Sequence, residues 1–385
     1  MTPIQAATHT DPYPCYERLR RHAGLSFDAE LGLRIASDAQ SVQAILEHPD
    51  CLVRPLDEPV PGYLGQGAAG DIFSRLMRMN EGAAHLGPKR VMALALAALP
   101  AHAIAEAVEE AARQLDGPAG HLDAWMFTLP LCTVAALIGF AGDQRQAVAQ
   151  RVREYVTCLS PLSDEVALRR ADQAADQLRQ AFDAVLSQDD PRNGFLGQVR
   201  AGCEAAGWHD RDALIANLIG LMSQACDATA GLIGNALIAL RCSPEMIGSL
   251  RGTPGLLGEW VAEVARHDSP VQNTRRFLAR PCKVLGYALE AGDTVLVLLG
   301  SANRDARANA APDSFVLERP HRRTFSFGGG RHECPGQRLA LGIATYAVER
   351  WLQQPAPSAA ALRWHYQPSL NGRIPRFCVD EEAQR

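Results

Sequence analysis

No pair among the ten cysteines has CxxC spacing, and no regular interval relates them. That argues against both a disulfide framework and a zinc site, and fits a reducing compartment. There is no basic excess: a formal net charge of −5 and a pI near 6.1 give no support for nucleic-acid binding. Residues 1–13 contain no apolar stretch of the kind found in a signal peptide, so no N-terminal anchor is expected, and the expected compartment is the cytoplasm. No uncharged apolar run reaches the roughly 18–20 residues of a membrane span. One long apolar segment, 214–240, is interrupted by Asn217, Ser223, Gln224 and Asp227 and reads as a buried helix. Repeats and low-complexity linkers are also missing. The 385 residues are therefore read as a single domain, 1–385, although length alone would suggest two or three.

What is present is an ordinary soluble composition, 47% hydrophobic and 21% charged. Pro12 and Pro14 introduce a short helix through Arg20, 32–36 reads as a strand, and Asp38 is placed to cap a helix through Ile45. The interval 55–70 holds three prolines (Pro55, Pro59, Pro61) and four glycines (Gly62, Gly65, Gly67, Gly70) and reads as a long irregular loop. Helical periodicity dominates 93–207, with breaks at Asp116-Gly117-Pro118, 160–163 and Asp189-Asp190-Pro191. A further helix covers 256–267; then 283–287 and 293–297 read as a hairpin, and 366–379 as a turn-rich end. The fold class is mainly α with small β-sheets (α+β): helix-rich over about 80–270 and 334–355, β-rich over about 30–37, 283–300 and 364–380.

Chemistry concentrates in Phe327-Gly328-Gly329-Gly330-Arg331-His332-Glu333-Cys334-Pro335-Gly336. Three successive glycines permit left-handed backbone and close approach to something flat. A thiol on such a turn, ahead of a helix N-terminus, sits among exposed N–H groups that favour thiolate. Read alone, the loop could equally be a glycine-rich turn with an inert cysteine.

Phe-x-x-Gly-x-x-x-Cys-x-Gly resembles the haem-ligand loop of the cytochrome P450 family, and further motifs fall in the family's order. Glu263-Val264-Ala265-Arg266 is similar to its Glu-x-x-Arg element, for which Arg319 is a candidate partner. Ala302-Asn303-Arg304-Asp305 fits too, and the resemblance runs from the Asp11-Pro12 opening to the Leu370-Asn371-Gly372 turn. It implies haem b held by Cys334 as axial iron ligand, flanked by Phe327, Gly328 and Gly336, between a long distal helix and the helix after the cysteine. Propionate partners are implied at His332 and Arg276, and at His85 with Lys89 or Arg90. Lysine stands where arginine is usual, and Gly87-Pro88 inside that element is unusual and is expected to perturb the helix.

The stretch Gln224-Ala225-Cys226-Asp227-Ala228-Thr229 resembles the distal helix, where an acid and a following threonine relay protons to dioxygen. Ala228 falls on that threonine, and Thr229 lies about 100° further round. The resemblance therefore implies a catalytic trio Asp227, Ala228 and Thr229 in which water or the substrate supplies the missing hydroxyl. Pocket walls are implied at 55–79, 155–177, 221–229, 271–277, 298–300 and 370–373, including Leu221, Gln224, Ala225, Val271, Thr274, Leu298 and Leu370. These are mostly apolar or small and suit a medium-sized, partly hydrophobic molecule. The implied reaction is monooxygenation with O2 and two electrons ultimately from NAD(P)H. They would arrive through a separate ferredoxin and ferredoxin reductase, docked near His321, Arg322, Arg323, Arg331 and Arg338. The reading is a cytoplasmic, monomeric enzyme of bacterial secondary metabolism; no nucleic acid or membrane anchor enters it. Two alternatives stand beside it: coupling, peroxygenase or other non-hydroxylating chemistry, and a degenerate haem fold acting as a recruiting module.

Overall fold

The computed structural model describes residues 1–22, 24–65, 67–115, 118–188, 194–253, 255–354 and 362–378. In chain order the elements begin with α1 (Tyr13–Arg20), β1 (Leu25–Asp28), β2 (Leu33–Ala36), α2 (Ala39–Glu47) and β3 (Cys51–Leu52). Helices then follow one another: α3 (Ala68–Arg75), α4 (Ala83–Ala98), α5 (Ala101–Gln114), α6 (Pro118–Ile138), α7 (Gly142–Thr157), α8 (Glu165–Leu186) and α9 (Phe195–Ala206). After α10 (Arg211–Cys242), α11 (Met246–Gly252) and α12 (Leu256–His267) come β4 (Thr274–Leu278), β5 (Cys282–Val284), β6 (Tyr287–Leu289) and β7 (Thr294–Val297). The chain continues through α13 (Leu299–Asn303), α14 (Gln337–Leu352), β8 (Arg363–Tyr366) and β9 (Pro375–Cys378). The helix-rich α+β class read from sequence is the one observed.

The residues gather into two compact units, one drawn from Met1–Pro55, Ala230–Cys334 and the chain from Ala347 on, the other from Leu56–Thr229 and Pro335–Tyr346. The first unit is built on a five-stranded sheet of order β1-β2-β7-β4-β3, in which only β2 and β7 run parallel. Its core joins Val42, Ile45 and Leu46 of α2 to Val295, Val297 and Leu278 of the sheet and to Phe325. Each such side chain contributes about 1.5–3 kcal/mol by leaving water. Asp38 caps α2 as expected, its carboxylate accepting from the Gln40 and Ser41 amides at 3.1 Å each.

The hairpin expected from 283–287 and 293–297 does not form. β5 pairs with β6 across Leu285-Gly286, both at positive φ (51° and 85°), a two-residue turn that closes within four residues. β7 is thereby released to the five-stranded sheet, where Val295 and Val297 are wholly buried on a face that β6 could not supply. The terminal β8–β9 ladder occupies the region read as turn-rich, up to Cys378.

The second unit is helical. Helix α3 starts at Ala68, inside the stretch read as loop, because the Asp172 carboxylate accepts from the Ala69 amide at 2.9 Å and so caps it from outside. Pro88 does not break α4, which runs unbroken from Ala83 to Ala98 with Pro88 buried. A Cβ on Gly87 would sit 3.0 Å from the Trp208 ring, a tight contact that the ring would have to yield to. One described window, His121–Ile138, is long and apolar enough to cross a membrane, as is the bent pair α4–α5. In that window 61% of residues are buried within the protein, as in a core helix. The break at 160–163 lies between α7 and α8 as read. The breaks at Asp116-Gly117 and Asp189-Asp190-Pro191, and Val379 at the chain's end, lie outside the described residues.

Candidate active site

The residues singled out from sequence divide between the two units. In the first, Cys334 sits at the exposed end of the glycine loop, three residues before α14 begins. The loop is held by its own backbone: the Cys334 amide donates to the Phe327 carbonyl and the Gly328 amide to the Phe325 carbonyl, both at 2.8 Å. Gly328 and Gly330 have φ of 74° and 62°, and a Cβ on Gly330 would lie 2.8 Å from the Leu46 carbonyl oxygen. Only glycine lets the loop press against α2 at that point. The Phe325 amide is anchored by the Asn303 side chain at 2.6 Å, and Asn303 also donates to Ser326 Oγ.

Behind the loop lies the charged cluster. Glu263, fully buried on α12, accepts from Arg266 Nη2 (2.6 Å), from Arg266 Nε (3.1 Å to each oxygen), from Arg319 Nε (3.1 Å) and from the Val316 amide (3.1 Å). Arg322 Nε donates to its other oxygen at 3.0 Å. The remaining donors of Arg266 reach the carbonyls of Asn303, Pro312 and Ser314, and those of Arg319 reach Ala310, Ala311 and Ser314. Burial alone would raise the Glu263 pKa; hydrogen bonds from Arg266 and the Val316 amide outweigh it and hold the carboxyl below its usual range. Arg319 thus sits where the sequence reading put it, while Arg322 was missed as a member. Sequence reading had assigned Arg322 to a surface patch, but its side chain is 13% exposed and bonded to Glu263 and Glu259. Arg331 is likewise engaged, by the carbonyls of His48, Pro49 and Cys51, and Arg338 by those of Leu96, Ala97 and Leu99. His321 and Arg323 are exposed, Arg323 donating to Gln43.

Arg276 is buried in β4, its Nη1 donating to the Arg275 carbonyl at 2.8 Å and Thr274 Oγ1 at 3.3 Å. His332 is half-buried in the turn Gly330–His332. Of the first-unit pocket candidates, Leu298 is buried and Val271, Thr274 and Leu370 are half-buried.

In the second unit, His85 is buried on α4 and donates from Nδ1 to the Met77 carbonyl at 2.8 Å. Lys89, one turn on, is half-buried and Arg90 exposed, so position favours Lys89 of the two. Helix α10 is α-helical at every residue through Asp227, with no distorted turn for that carboxylate to mend. Asp227 and Ala228 are half-buried and Thr229 is buried, while Leu221 and Ala225 are half-buried and Gln224 is exposed.

The donor set fits a haem. Cys334 offers a single thiolate donor on an exposed turn, as the axial ligand of a porphyrin iron requires, and among the described residues no three His, Cys, Asp or Glu side chains cluster as a metal site. The close approach of the loop at Gly330, where a Cβ would meet the Leu46 carbonyl, leaves the thiol on a turn that a flat group can approach.

Comparison with known proteins agrees. The cytochrome P450 family model matches residues 255–354. The biotin biosynthesis cytochrome P450 of Bacillus subtilis is 28% identical over 252 residues, covering 64% of each chain. A 20-oxo-5-O-mycaminosyltylactone 23-monooxygenase of Streptomyces fradiae is 30% identical over 62% of this chain and 57% of its own. These alignments span less than two thirds of either relative. The solved structure of CalO2 superposes with a TM-score of 0.82 at 24% identity, over 98% of this chain and 96% of that one. The family model, these relatives and the shared fold together support membership of the cytochrome P450 family.

Proposed function

We propose that the protein is a haem-thiolate monooxygenase that oxidises a medium-sized organic molecule in bacterial secondary metabolism, both units forming one cytochrome domain. The observation that carries this reading is Cys334, exposed on a loop in which Gly330 has no room for a side chain and the backbone is fixed by bonds from the Cys334 and Gly328 amides. Bound there, haem b supplies the activation of dioxygen with two electrons and the insertion of one oxygen atom.

The chain's own residues do the rest. Cys334 would hold the iron as thiolate, and the amides at the start of α14 would favour that anion. Arg276, His332, His85 and Lys89 offer cations to the two propionates, with Arg90 the lesser candidate. The Glu263–Arg266–Arg319–Arg322 cluster fixes the backbone leading into the loop. Asp227 holds and passes protons toward the distal side. Ala228 offers no hydroxyl, so an ordered water or a hydroxyl on the substrate completes the path. Electrons come from NAD(P)H through a ferredoxin reductase and an acidic ferredoxin. The docking surface is narrower than the five basic residues suggest, because Arg322, Arg331 and Arg338 already hold internal partners.

The test is the ferrous-carbonyl difference spectrum of the purified, haem-replete chain. A Soret band near the thiolate position is expected, and Cys334→His should move it to the imidazole position. A protein that takes up no porphyrin, or binds it through nitrogen, ends the proposal.

A further inference from the structure

Asn217 is one of the polar residues that interrupt the apolar run of α10, and a helix interior gives asparagine little reason to be there. It is buried, and its side chain reaches the segment between α3 and α4. Oδ1 accepts from the Met77 amide at 2.8 Å; Nδ2 donates to the Arg75 carbonyl at 3.0 Å and, within α10, to the Ala213 carbonyl at 2.8 Å. Two other buried side chains complete the clamp. Asn80 Nδ2 donates to the carbonyls of Ser74 (2.7 Å) and Leu76 (2.8 Å), and His85 to that of Met77. Every carbonyl from Ser74 to Met77 is thus bonded by a buried side chain.

A helix end leaves its last carbonyls without partners, so capping of α3 explains part of this. It does not explain Asn217. Asn80 caps from within the segment, whereas Asn217 belongs to a helix far along the chain and takes the Met77 amide as well. Packing fixes the same place. One turn along α10, at Gly220, the buried Leu76 side chain fills the space beside the helix, its Cδ2 lying 2.8 Å from where a Cβ would stand. Asp227 follows about two turns beyond Gly220, at nearly the same angle round that helix.

We infer that Asn217 is a positioning residue for the substrate: it fixes the turn Met77–Met79 on α10 and thereby sets how long a molecule the pocket accepts. A methionine on a free loop adapts to whatever it meets. Met77, with its amide held by Asn217 and its carbonyl by His85, has its backbone fixed from two helices and so becomes a wall of set position. This rests on the reading above, in which 55–79 and 221–229 line the substrate pocket.

The full-length, haem-loaded protein is titrated with 1-alkylimidazoles from methyl to decyl, whose ring nitrogen binds iron and whose chain probes the pocket; the Soret shift gives Kd. Asn217→Leu keeps the volume and removes the hydrogen bonds. In it the Met77 amide should exchange with deuterium about tenfold faster, as loss of one hydrogen bond implies. The ratio of Kd for butyl and decyl should move about fourfold or more in favour of decyl, the effect of one buried methylene. Met77→Ala should move that ratio the same way. Leu250→Ala, a core truncation on α11, controls for lost stability and should leave it unchanged. Asn217→Ser, too short to keep both contacts, repeats the test if the leucine variant does not fold. A ratio that stays within about twofold of the native one in the Asn217 variant or in Met77→Ala, or that moves equally in Leu250→Ala, would overturn the inference. So would an unchanged exchange rate at Met77. The carbonyl spectrum reads the protein ligand of the iron and these titrations read chain length on the opposite side. A thiolate spectrum with an unmoved ratio therefore sinks this inference alone.

Discussion

Replacing Glu263 by glutamine keeps the shape of the side chain and removes one charge from a site with no access to water. In the native protein this carboxylate is the shared acceptor for three guanidiniums. Arg322 retains Glu259 at 2.8 Å after the change, but Arg266 and Arg319 are left with carbonyl oxygens only. Glutamine also turns an NH2 donor toward groups that can only donate. Breaking a buried pair from one side costs about 3–5 kcal/mol, against a total stability of about 5–15 kcal/mol. Urea unfolding followed by far-UV circular dichroism and by haem retention should show that loss. Glu259→Gln is the control: that side chain is 44% exposed, and its removal should cost about 1 kcal/mol or less. The pH dependence gives a second reading. Because the folded pKa of Glu263 lies below the unfolded one, its contribution is complete above about pH 4.5 and lost as pH falls through the folded value. Glu263→Gln should flatten that acid limb. A loss of less than about 1 kcal/mol for Glu263→Gln would refute the claim that this cluster holds the loop scaffold.

Three other outcomes follow from the same geometry. His267 is kept neutral, its pKa lowered to about 4 by burial and then by Arg304. Arg304 Nη2 donates to its Nδ1 and its Nε2 donates to the Asp313 carbonyl, each at 3.0 Å, so a second ring proton would displace Arg304. The unfolded chain binds that proton near pH 6.5, so stability should fall between about pH 6.5 and 4, and His267→Gln should lessen the fall in urea midpoints across that window. Gly330→Ala places a Cβ 2.8 Å from the Leu46 carbonyl in a left-handed residue; a cost of about 1–2 kcal/mol or more and faster haem loss to apomyoglobin are expected. Ala228→Thr should leave the coupling of electrons to product nearly unchanged if the substrate supplies the hydroxyl, and a several-fold rise measured as product per NAD(P)H would show that it does not.

Much of the site was legible because its requirements are local. Three glycines before a cysteine and a helix prescribe a backbone, whatever surrounds it, and a Glu and Arg three apart share a helix face. Helices α10 and α12 followed from their periodicity, and the Asp38 cap from one side chain reaching two amides. The failures were all questions of partnership. Sequence reading could not choose between β6 and a distant β2 as neighbour for β7, because both offer backbone groups and only burial of Val295 and Val297 separates them. It placed Arg322 on the surface, since an arginine beside Arg323 looks solvated until a carboxylate 59 residues earlier is brought to it. Composition and spacing therefore determined the class of chemistry this protein supports. Which charges are neutralised was decided by tertiary packing, because the energy of a buried charge depends on what lies against it and not on what precedes it in the chain.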